Sequence, residues 1–141
     1  MTEPVRYEPF QPRRPLAVAL VPLTLWIAVL SVPMWTGAFL ASSVSDQYGT
    51  GWAFRHWAAQ QWRALGGPPT WNPEIMGGLP FVGALHGDLF YPTAWLRLLV
   101  PTTTAMNLGF VGHFVLAGLL VYVFLRLLAV SWSGSVVGGL T

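Results

Sequence analysis

One pattern constrains this chain more than any other. Leu16 to Ala41 runs for about 26 residues, and Ala105 to Leu125 for about 21, without Asp, Glu, Lys or Arg. A helix needs roughly 20 apolar residues to cross a bilayer core. Both runs are therefore read as transmembrane helices, at residues 15–41 and 105–128. Composition agrees. The chain is 54% hydrophobic and 9% charged, against about 25% charged for an ordinary soluble domain. Too few charges remain to cover a water-facing surface. Its arginines are scattered, so no basic patch for nucleic acid is present. The absence of cysteine excludes disulfides and thiol catalysis.

The flanks set an expected orientation. Arg13 and Arg14 precede the first run, and the next basic residue after it is Arg55. The positive-inside rule places the N-terminus in the cytoplasm, with Arg126 marking the return. Residues 1–14, polar and proline-containing, read as a disordered cytoplasmic tail. The first run is too long for a signal peptide and lacks a clean cleavage pattern. Pro22 and Pro33 lie within it. Neighbouring helices and Ser/Thr hydroxyls can satisfy the carbonyls they free, and Pro33 is expected to kink the outer third. Trp35 is expected at the interface.

Residues 42–104 then form a long extracytoplasmic loop. It carries three of the five acidic residues, two of the three histidines and five of the eight tryptophans. Residues 50–65 read as a helix stopped by Gly66-Gly67-Pro68-Pro69, with His56, Gln60 and Arg63 on one stripe. Its aromatics suit the headgroup layer. Residues 92–100 read as a second short interfacial helix, opened by Pro92. Met76-Gly77-Gly78 would let backbone approach a ligand closely. Thr102-Thr103-Thr104 offers an N-cap to the second span. Within that span, Gly109, Gly112 and Gly118 favour close helix packing. His113 reads as a neutral histidine bonded to a neighbouring helix, with a functional role as the alternative. Residues 129–141 read as a short turn and the start of a third membrane helix, so the sequence is expected to continue in a longer protein. The expected fold is an all-α membrane protein.

Charges are sparse, so each candidate is informative. Asp46 follows the first span by about one helical turn. A carboxylate there can take a proton from an acceptor hydroxyl or bind a metal; alternatively Asp46, with Ser45, caps the next helix. Asp88 is the second carboxylate. If the loop folds back, Asp46 and Asp88 could share a divalent ion such as magnesium or manganese. Arg55, His56 and Arg63 can neutralise a phosphate, or else contact lipid headgroups. The three histidines are too far apart in sequence for a zinc motif.

These residues carry a resemblance. Asp46-Gln47-Tyr48, Trp71-Asn72-Pro73, Gly77-Gly78-Leu79-Pro80 and Phe90-Tyr91-Pro92 resemble, in that order, the start of the bacterial YfhO-like family. His113, Ala117-Gly118-Leu119 and Tyr122 continue the likeness, which covers about residues 16–141. The family looks like multi-pass glycosyltransferases of the GT-C type in the plasma membrane. The resemblance implies a GT-C-like polytopic fold, a polyprenyl-phosphate-linked sugar donor and a cell-envelope glycan or lipid acceptor, with transfer on the outer face. It implies Asp46 as catalytic base or acceptor-orienting group, with Asp88 as a second catalytic carboxylate. Arg55, His56, Arg63, Trp71, Asn72 and Tyr91 become candidates for binding substrate or phosphate. This stretch by itself is not expected to be active. Two other readings stay open: a non-enzymatic membrane scaffold or assembly protein, and a segment of a lipid-linked sugar transporter.

Overall fold

The computed structural model describes residues 12–141, apart from the side chain of Trp35. Most of the tail expected at 1–14, and the interfacial placement of Trp35, lie outside what is described. The chain is mostly helical. It divides into two compact units, one made of the chain up to Val32 together with Val111–Thr141, the other of Pro33–Phe110.

In the first unit, α1 (Pro15–Leu30) starts with proline at its first turn, where a missing N–H costs nothing. It stops well before Ala41. Its 16 residues span about 24 Å at 1.5 Å per residue, short of the roughly 30 Å hydrocarbon core. Pro33 accounts for the stop, since its ring occupies the space of the Val29 carbonyl and it has no N–H to offer. The Ser31 amide closes the last turn on Ile27 O at 2.9 Å, and its hydroxyl donates to Ala28 O at 3.1 Å. One separate turn, α2 (Val32–Trp35), follows. Pro22 is carried inside α1. The Thr24 hydroxyl donates to Leu20 O at 2.8 Å and Val21 O at 3.0 Å, rather than to the Val18 carbonyl that Pro22 frees.

Helix α5 (Thr102–Leu127) is 26 residues long and contains an 18-residue stretch with a mean hydropathy of 2.2. Among the described residues it is the one helix long and apolar enough to cross a membrane. From Val111 onward it belongs to the first unit, with α6 (Trp132–Leu140). Ser131 caps α6 by accepting the Gly134 N–H at 3.3 Å. The turn before it uses Ala129 at φ 59° and is closed by the Arg126 guanidinium donating to Val130 O at 2.7 Å. Small residues let the backbones meet: a Cβ added to Gly118 would sit 2.5 Å from the Gly139 carbonyl and 2.6 Å from Leu23. The Trp132 indole N–H donates to Pro15 O at 3.0 Å, tying α6 to the start of α1.

The second unit is organised around α3 (Trp52–Leu65), which ends at Gly66 in the left-handed conformation, φ 72°. Ala58 on this helix packs with Phe81 and Leu89, and Phe54, Trp57 and Trp62 close around them. The aromatics expected in a headgroup layer therefore fill this unit's own core. Strands β1 (Trp71–Asn72) and β2 (Leu79–Pro80) pair antiparallel, and Phe81 N–H extends the ladder to Thr70 O at 2.8 Å. That register drives the Phe81 side chain inward. A 3₁₀ turn (Pro92–Trp95) then runs into α4 (Leu96–Leu99).

Candidate functional site

The stretch carrying Asp46 is held by a residue far away in sequence. Asn107, buried on α5, donates to Ala38 O at 2.8 Å and accepts the Leu40 N–H at 2.9 Å. Its amide thus pairs with the backbone as a strand neighbour would. Gly37, at φ 79°, turns the chain into that grip. Beyond it, Ser45 Oγ accepts the Gln47 N–H at 3.1 Å, and a single π-helical turn (Gln47–Gly51) leads into α3. Wide turns of this kind often occur at functional positions. Asp46 opens the turn in right-handed geometry with no side-chain cap bond. Capping here falls to Ser45, and the Asp46 carboxylate is exposed.

Arg55, one turn into α3, connects this stretch to the other carboxylate. Its Nη1 donates to Gln47 Oε1 at 2.6 Å and its Nε to Asp88 Oδ2 at 3.2 Å. Gly51 makes this possible, since a Cβ there would lie 2.6 Å from Arg55 Nη1. On the far side of Asp88, Arg97 Nη2 lies 2.6 Å from Oδ1. That contact is an ion pair without good hydrogen-bond angles; the same Nη2 donates properly to Gly87 O at 2.8 Å. Asp88 sits at φ 48°, with Leu85 at 57° and Gly87 at 81° just before it. Left-handed backbone at two non-glycine residues is strained, and the two guanidiniums hold it. The trio carries a net charge of +1.

These contacts settle where the sequence candidates lie. Asp88 is held between Arg55 and Arg97, and the chain Gln47–Arg55–Asp88 links its neighbourhood to that of Asp46. Both Asp88 oxygens face guanidiniums, and among the described residues no three His, Asp or Glu side chains converge to hold a metal. Asp88, paired on both oxygens, is held as an ion-pair partner of the two arginines. His56 stacks on Trp52 at 4.5 Å and its Nδ1 lies 3.1 Å from Thr102 Oγ1. The Trp52 indole donates to Thr103 Oγ1 at 3.0 Å. The threonines expected to cap α5 thus anchor α3. The Arg63 guanidinium donates to the Arg97 carbonyl.

Trp71 lies against Gly78, where a Cβ would fall 2.3 Å from its ring, so the close backbone approach serves the protein's own indole. Asn72 is buried and accepts the Glu74 N–H at 2.9 Å, closing a turn. Tyr91 lines an open cavity of about 300 Å³ together with His86 and Asp88. His86 stacks on Phe54 at 4.5 Å. A second open cavity, of about 310 Å³, is lined by Phe39, Met106, Phe110, Ser45 and Gln47; the last two flank Asp46. His113 is exposed on α5.

Two residues central to this arrangement carry no motif. Asn107 is an amide early in an apolar helix, which is itself a signal, since such groups seek partners. Arg97 gives no such hint, because burial of an arginine between two leucines cannot be read from spacing. No protein-family model, curated protein or solved structure matches this chain.

Proposed function

We propose that the chain is the N-terminal part of a multi-pass membrane glycosyltransferase of the GT-C type. It would transfer a sugar from a polyprenyl-phosphate-linked donor to a cell-envelope acceptor outside the plasma membrane. In this reading α1 with α2 forms a first crossing and α5 a second, and residues 36–101 lie on the extracytoplasmic side. The observation that carries it is the exposed Asp46 carboxylate between two residues lining an apolar cavity, with the Arg55 guanidinium held against Gln47. An acidic residue just after the first span also matches the YfhO-like pattern.

The chemistry follows from those groups. Asp46 takes the proton of the acceptor hydroxyl, or orients it, as the acceptor oxygen bonds to the anomeric carbon. The bond from that carbon to the phosphate oxygen breaks and its electron pair leaves on the phosphate. Arg55 can offset the charge that develops there. Attack and departure on opposite faces give inversion. Asp88 is assigned to holding Arg55 and Arg97 rather than to proton transfer.

Asp46→Asn in the full-length protein tests this. Loss of a general base typically costs 10²–10⁴-fold in rate, so transfer from a radiolabelled polyprenyl-phosphate sugar in membranes should fall by roughly that factor with expression unchanged. Transfer at the wild-type rate would remove Asp46 from the chemistry. The close approach of Gly118 and Gly139 favours a second reading, a non-enzymatic scaffold. Membranes showing no transfer with any lipid-linked donor, together with co-purification of a stable membrane partner, would support it.

A further inference from the structure

The short helical segment before α5 is built inside out. Across Pro92–Leu99 the residues turned into the unit are Ala94 and Arg97, the latter only 4% exposed. Turned outward are Trp95, 58% exposed, and Leu99, 82% exposed. These two are four positions apart, which puts them on one side of a helix. A segment facing water would show the opposite pattern. Nearby, Leu85 and Phe90 are exposed as well. The charges around them are turned away from this face: Arg97 and Arg55 close on Asp88, and Arg63 reaches the Arg97 carbonyl. The next helix, begun three residues after Leu99, is the one among the described residues that is long and apolar enough to cross a membrane.

From this geometry we infer that Trp95 and Leu99 form a lipid-facing edge, inserted in the phospholipid interface beside the start of α5. Zwitterionic lipid suffices for this, because the contact is apolar and the neighbouring guanidiniums already have protein partners. Helix α3, whose aromatics are spent on the core, does not supply the anchor. The inference rests on α5 crossing a bilayer and is independent of sugar transfer.

The chain lacks cysteine, so single labelled cysteines test it directly. Nitroxides are placed at Trp95→Cys and Leu99→Cys, with Gln60→Cys as an exposed reference on α3 and Leu120→Cys on α5, in phosphatidylcholine nanodiscs. Collisions with oxygen and with a water-soluble nickel chelate give depth. Labels at 95 and 99 should lie about 5–10 Å below the phosphate level, with 60 in water. Nickel-accessible labels at 95 and 99 overturn the inference, as do labels shielded from both reagents, which would mean protein covers this edge. Residue 120 in lipid then shows that the edge failed and not the span. Quenching of the native tryptophans by brominated phosphatidylcholine is a second measure. Trp95→Phe should remove part of it, and unchanged quenching refutes the contact.

Discussion

Replacing Asp88 with asparagine isolates the charge at the centre of the second unit. Asparagine tolerates left-handed backbone, so the φ of 48° is kept and only the anion is lost. Arg97 then stays buried with its positive charge facing an amide. Removing one partner of a buried pair costs about 3–5 kcal/mol. The Asp88 side chain is 32% exposed, and water offsets part of that, leaving about 2–3 kcal/mol. Against a typical domain stability of about 5–15 kcal/mol this is a local loosening rather than collapse. Amide hydrogen exchange in detergent micelles reads it. At about 1.4 kcal/mol per decade, protected amides of residues 52–65 and 81–99 should exchange roughly 30- to 150-fold faster. Adding Arg97→Met removes the stranded cation and should restore part of the protection, as apolar replacements of buried pairs do. Restoration should be incomplete, because the bond from Arg97 to Gly87 O goes with it. Exchange within about twofold of wild type in the single variant, at sites that open only sub-globally, would refute the role given to Asp88. So would a double variant looser than the single one.

Asn107→Leu should free the stretch before Asp46. Two hydrogen bonds at about 1 kcal/mol each are lost and two backbone groups are left without partners, so the Leu40 amide should lose about 2–3 kcal/mol of exchange protection while α3 changes little. Gly118→Ala should push α6 off α5, because its Cβ would meet the Gly139 carbonyl at 2.5 Å. Overpacking typically costs about 1–3 kcal/mol, visible as a lower thermal midpoint by circular dichroism, and an unchanged midpoint would contradict the close approach.

Local rules carried much of the fold. The stop of α3 at Gly66, the proline-opened turn at Pro92 and the long run of α5 each depend on residues adjacent in the chain. The end of α1 was misplaced because the same apolar residues suit a helix or an extended interface segment, and Pro33 decided between them. Asp46 stood out as a candidate because it is a lone carboxylate just past an apolar run. The partners of Asp88 were not legible, since Arg55 and Arg97 reach it only through the folded loop.

What the residues alone determined, then, is which segments avoid water and where the backbone turns. Those choices rest on hydrophobicity and on the restricted φ of proline and glycine, both properties of a residue and its immediate neighbours. Tertiary structure decided which polar groups meet. Asn107 binds backbone 69 positions away, and Arg55 finds Asp88 33 positions away. Such pairs form because a buried polar group left alone is costly, and that cost selects a partner in space with no regard to distance along the chain.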